Sequence, residues 1–149
     1  MNTVKTIPNE LFFATVEEVI SEGRSVEMTV KGFSMRPFFR NGRDVVVLSP
    51  VEGALREGMV VLFRHRGAHI LHRLRKIEGQ RLTIEGDGNY RQREEAQMED
   101  VVAYVTEVRP NNRAGFRYGS FGWRFRSLWS LGVKRLRTAA IDVKRMIKR

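Results

Sequence analysis

Residues 30–48 read VKGFSMRPFFRNGRDVVVL. Val26, Met28 and Val30 alternate with Glu27, Thr29 and Lys31, the period of a half-buried strand. Asp44 to Leu48 is a second short apolar strand, ended by Pro50. Between them lies a wide turn carrying Gly32, Pro37, Asn41 and Gly42, residues that favour bends over ladders. The first long stretch after the N-terminal segment is therefore strand, turn, strand.

The same pattern continues. Met59 to Phe63 is an apolar strand introduced by Glu57-Gly58. Along residues 68–77, AHILHRLRKI, the residues Ile70, His72 and Leu74 share one face while Arg73 and Arg75 share the other. Leu82 and Ile84 alternate with Thr83 and Glu85 up to the turn Gly86-Asp87-Gly88-Asn89. Val101 to Val108 is the last strand. Six short strands with turn signals between them predict a mainly β (α+β) domain, a rolled or partly closed sheet. Ahead of them, Asn9 is the expected cap of a short helix, Glu10 to Glu22, closed by Gly23, with Phe12, Val16, Val19 and Ile20 on one side.

The chain has 149 residues, which suits one domain, and its hydrophobic content of 42% supports a core of ordinary size. It holds no cysteine, which excludes a disulfide framework and a thiolate metal site and fits a reducing compartment. No apolar run is long enough for a membrane-spanning helix, and the first 25 residues lack the pattern of a secretory signal. The expected location is cytoplasmic, with peripheral membrane contact through the tail as an extension of that reading. The formal net charge of +10 sits in the C-terminal quarter: residues 113–149 hold eleven Lys and Arg against one acid, Asp142. A neutral body with a basic extension is the organisation this implies, residues 1–109 forming the β domain with its helix and residues 110–149 a linker and basic helical tail.

Ser34 occupies the middle of the wide turn. A serine hydroxyl becomes a competent nucleophile only when a base takes its proton and backbone N–H groups face the developing oxyanion. Gly32 permits the required bend and Pro37 stiffens the exit, but on spacing alone a turn serine that merely shapes the loop is the favoured reading. The available bases are few, since His65, His69 and His72 are the only histidines. His72 sits among apolar inward neighbours, and an imidazole is the side-chain type suited to proton transfer near neutral pH. A helical reading would stack all three histidines as a metal site; Gly67 and the strand-like flanks favour a hairpin, so neither a metal nor a cofactor is expected.

GFSMRPFFRNGRDVVVL resembles the nucleophile box of the signal peptidase and self-cleaving SOS repressor superfamily of serine peptidases. LHRLRKIEGQRLTIEGDGN resembles its second box, a Lys-Arg or His-Arg pair on a strand followed by a G-D-x-N turn. The likeness covers residues 26 to 108. It implies Ser34 as nucleophile, His72 as general base in a Ser–His dyad, and the Ser34 backbone N–H in the oxyanion hole of a β-rich catalytic core. The chain departs from the pattern in several places. Arg43 splits the usual Gly-Asp pair at Gly42 and Asp44. Gln92 and Arg93 stand where Ser–His members often carry aspartates, so the residue that orients the histidine is left between Asp87, Glu94 and none. No apolar run suits the superfamily's usual transmembrane anchor, and residues 1–25 are too short for its DNA-binding domain, so neither standard role is expected to transfer whole.

Two functions follow as expectations. One is a serine endopeptidase acting on a protein or peptide. The other is a weak or inactive module of the same fold that binds a peptide or partner and docks through its tail. In that tail Trp129, Val133, Leu136, Ala140, Val143 and Ile147 form an apolar stripe on an amphipathic helix, with Arg135, Arg137, Lys144, Arg145 and Lys148 mostly off it. Residues 117–149 could lie on an anionic membrane, pack on their own core or meet a second chain. No nucleic-acid-binding module accompanies the charge.

Overall fold

The structure, a computed structural model, describes residues 9–148. Helix α1 (Asn9–Ser21) is followed by strands β1 (Val26–Thr29), β2 (Val45–Ser49), β3 (Val60–His65), β4 (Ala68–Glu78), β5 (Arg81–Glu85), β6 (Glu94–Gln97), β7 (Val101–Arg109) and β8 (Phe116–Arg117), then by helix α2 (Phe121–Ile147). The fold is α+β and mainly β. Every strand pairing is antiparallel, in the order β1-β2-β7-β3-β4-β5-β6 with β8 added to β7, and the sheet does not close into a barrel.

The α1 end follows from its glycine. Gly23 takes a left-handed φ of 81°, and its N–H and that of Arg24 return to the carbonyls of Ile20 and Val19, satisfying the last turn. Asn9, the expected cap, is the first residue of α1, and its expected side-chain capping bond lies outside what is described of that residue. Val16 and Ile20 are buried against the sheet, with Phe12 packed beside them.

Strand β3 lies near the middle of the sheet, between β7 and β4, and both of its faces are covered. Val60 and Leu62 enter a core with Phe38, Phe39, Leu48 and Trp123, while Val61 and Phe63 enter a second core with Leu74, Leu82 and Ile84. Its unbroken apolar run is the sequence consequence of burial on both sides. Each fully buried Leu, Val or Phe side chain contributes about 1.5–3 kcal/mol relative to exposure.

Two strands escape the alternation pattern. Strand β6 pairs with β5, Leu82 opposite Ala96 and Ile84 opposite Glu94. Its inward residues are Glu94 and Ala96, so no apolar alternation announces it. Strand β8 falls in the stretch that reads as linker. There Phe116 packs edge-on against Phe38 and Trp123, and Tyr118 packs on Trp123 as well.

Helix α2 runs without a break through Gly132. The Ser120 side chain caps it by accepting the Trp123 N–H. It docks on the body through Trp123 and Ser130, both buried, rather than through the expected stripe: Leu136, Val143 and Ile147 all face outward. The reason is that the side facing the sheet must satisfy buried polar groups, described next, and only its polar residues can do so. Among the described residues no helix is long and apolar enough to cross a membrane.

Candidate active site

Three segments meet at the candidate site: the turn after β1, the middle of β4 and the turn after β5. The first is built around Ser34. Gly32 has a φ of 90°, a left-handed conformation that a side chain would strain, and its N–H donates to Asn41 Oδ1 at 2.8 Å. Met35, Phe38 and Phe39 turn into the core, which leaves Ser34 half-buried at the surface.

Asp44 fastens the far end of this turn. Its carboxylate is fully buried and accepts the backbone N–H of Arg40 at 2.8 Å, that of Asn111 at 2.9 Å and Arg43 Nε at 2.7 Å. Burial acts to raise the Asp44 carboxyl, but the hydrogen bonds from Arg43, Asn111 and Arg40 and the nearby guanidinium charge outweigh it, holding the group below the usual carboxylate range. Arg43, which interrupts the Gly-Asp pair, is therefore the partner of the aspartate it displaces.

The third segment presses directly on the first. Gly88 N–H donates to the Ser34 carbonyl at 2.7 Å. A Cβ on Gly88 would stand 2.6 Å from the Phe33 carbonyl oxygen, and one on Gly86 would stand 2.4 Å from the Ser34 carbonyl oxygen. The glycines of the Gly86-Asp87-Gly88-Asn89 turn are thus needed for close backbone approach. The same point at Gly86 is 3.1 Å from His72 Nε2. Ser34 O and His72 Nε2 can therefore be no farther apart than the sum of those two distances.

His72 is buried on β4, opposite Val61 of β3. Its Nδ1 lies 3.1 Å from Glu94 Oε2, and both side chains are about 6% exposed. With Glu94 ionised the carboxylate can only accept, and the contact then requires the proton on Nδ1 and leaves Nε2, on the side of Gly86 and Ser34, as the acceptor nitrogen. Among the described residues no hydrogen bond joins Ser34 Oγ to His72, and neither the Ser34 nor the Met35 backbone N–H donates to a protein acceptor.

Asp87 does not reach His72. It forms a buried ion pair with Arg73, whose Nε and Nη2 lie 2.9 and 2.8 Å from its oxygens, and it accepts Ser130 Oγ–H at 2.7 Å. Arg73 Nη1 donates to the Gly58 carbonyl at 3.0 Å and to Ser127 Oγ at 3.1 Å, and the guanidinium lies 4.5 Å from the centre of the Phe38 ring. Arg73 is fully buried, so the face of β4 that alternation assigns to Arg73 and Arg75 is covered at Arg73 and open only at Arg75, beside a register shift between Leu74 and Lys76. Arg73, Ser127 and Ser130 carry no signal in the sequence beyond the His-Arg pair itself, because their partners are remote in the chain. Lys134 completes the contact, donating to the Gly86 carbonyl at 2.7 Å and pairing with Glu85 at 2.9 Å.

The other histidines are elsewhere. His69 stacks on Phe13 with ring centroids 4.6 Å apart, its Nε2 3.4 Å from Glu17 but without hydrogen-bond alignment. Among the described residues no group of three or more His, Cys, Asp or Glu side chains could hold a metal ion. Beside Ser34 lies an open hollow of about 390 Å³ lined by Phe33, Arg36, Pro37, Arg40, Asn41 and Arg137. Three arginines and no acid border it.

No model of a known protein family matches the chain, and no curated protein matches it either.

Proposed function

We propose that the protein is a serine peptidase in which Ser34 is the nucleophile, His72 the general base and Glu94 the carboxylate that orients it. The observation that carries this reading is the buried His72–Glu94 contact beside the Ser34 turn. A carboxylate on Nδ1 holds the tautomer whose Nε2 can accept a proton, and it stabilises the imidazolium once formed. The chemistry then follows in balanced steps. Ser34 Oγ bonds to the carbonyl carbon as its proton passes to His72 Nε2. The oxyanion takes hydrogen bonds from the free N–H groups of Ser34 and Met35. The carbon–nitrogen bond breaks as Nε2 returns the proton to the leaving amine, which leaves an acyl-enzyme. Water, deprotonated by Nε2, attacks the ester, and the proton returns to Ser34 Oγ as the acid product departs.

Attack requires Ser34 Oγ to rotate into reach of Nε2, a tightening that substrate binding drives in many hydrolases. The arginine-bordered hollow favours peptides with acidic residues near the scissile bond. A fluorophosphonate probe tests the reading. Covalent labelling of Ser34 in the wild type, lost in Ser34→Ala and His72→Ala, supports the peptidase. A folded wild type that stays unlabelled supports instead a peptide-binding module on the same scaffold. That reading draws on the absence of a hydrogen bond between Ser34 and His72.

A further inference from the structure

We infer that α2 seats the protein on an anionic lipid bilayer through the side of the helix turned away from the sheet. The inference is independent of the chemistry proposed for Ser34. At 100° per residue, Phe121, Phe125, Leu128, Leu136, Val143 and Ile147 project from one side of α2. All six are exposed, Phe125 by 67%, Leu136 by 74% and Ile147 by 77%. The helix has 27 residues, so this apolar side extends for about 40 Å. An uncovered apolar side of that length marks an interaction surface.

Its borders identify the occupant. Arg124 and Arg135 line one edge and Arg137 and Lys144 the other, all exposed. The helix has a single acid, Asp142, on the Arg124–Arg135 edge, where Tyr90 Oη–H and Arg91 already donate to it. An apolar strip between two cationic edges matches a bilayer, whose acyl boundary accepts the strip while anionic headgroups meet the edges. A second copy would set the same cationic edges against themselves, and the one acid among them, Asp142, is already engaged by Arg91 and Tyr90. The opposite side of α2 is committed to the body through Trp123, Ser130 and Lys134, so seating the helix need not disturb the fold. It would hold the Gly86–Asn89 turn about one helix diameter, ~10 Å, from the lipid surface.

Co-sedimentation of the full chain with vesicles tests this. Binding to phosphatidylglycerol–phosphatidylcholine vesicles should exceed binding to pure phosphatidylcholine at least about tenfold, and it should weaken as salt rises. The double variant Phe125→Ser/Leu136→Ser should lose about tenfold in binding while keeping the wild-type melting temperature, since both residues are exposed. Ser34→Ala should bind as the wild type does. The inference is overturned if the folded wild type does not sediment with anionic vesicles, or if the double variant binds as well as the wild type. Concentration-dependent dimers that the double variant abolishes, without vesicle binding, would assign the surface to a second copy.

Discussion

Ser130 Oγ lies 2.7 Å from Asp87 Oδ2 and donates to it, joining α2 to the turn after β5. With Ser127 on Arg73 and Lys134 on the Gly86 carbonyl, it makes the basic helix one wall of the candidate site. The C-terminal segment therefore has two sides with separate duties. Its polar side completes a buried network, and its apolar side is exposed.

The network predicts large stability losses for single changes. Arg73→Met leaves Asp87 buried without its counter-charge, and Asp87→Leu leaves Arg73 in the same condition. Each should cost about 3–5 kcal/mol in urea unfolding, and the double variant should recover part of that loss. Ser130→Ala removes one hydrogen bond to a charged group and should cost less, about 1.5–3 kcal/mol.

Glu94→Gln keeps the shape of the side chain but offers His72 a different hydrogen-bonding group. The fold should survive, and turnover should fall about 10²–10⁴-fold through loss of the correct tautomer. The drop should fall mainly on kcat, and the pH–rate profile should move with it. A merely structural role for Glu94 would lower thermal stability and leave the profile of the remaining activity unchanged.

Gly86→Ala places a methyl group 2.4 Å from the Ser34 carbonyl oxygen, a backbone atom that cannot swing aside. The expected outcome is displacement of the Ser34 turn, at a cost of about 1–3 kcal/mol in stability, with loss of fluorophosphonate labelling. Gly132→Ala has open space around its new methyl and removes a glycine from a helix interior. It should stabilise the chain by about 0.5–1 kcal/mol and leave labelling intact.

Asp44 predicts a pH dependence. Its carboxyl is held below the usual carboxylate range in the folded chain. It therefore contributes stability at pH values above its unfolded pKa, and that contribution disappears as pH falls through the lower folded value. Asp44→Asn should be less stable than the wild type at pH 7, and the gap should narrow below about pH 4. Urea midpoints measured across that range check both parts, and a constant gap would count against the assignment.

The two strand–turn–strand units that frame the site were legible in the sequence because their signals are local. Val26, Met28 and Val30 alternate over adjacent residues, Gly32 must take a positive φ, and Gly86 and Gly88 mark a turn wherever they pack. Strand β6 was illegible for a physical reason. Its inward position is Glu94, and a buried carboxylate looks like a solvated one until its partner, His72, is brought up by another strand. The same holds for Arg73, which alternation assigns to an open face and which Asp87, Ser127 and the Phe38 ring enclose.

The sequence by itself determined that α2 is an amphipathic helix with a cationic excess, since periodicity and charge are properties of neighbouring residues. Which side of that helix meets the body was decided only in three dimensions. A buried ion pair must have its remaining hydrogen bonds filled, and Ser127 and Ser130 can fill them where Leu136 and Val143 cannot. That requirement turns the apolar stripe outward, against the expectation that hydrophobic residues alone would set.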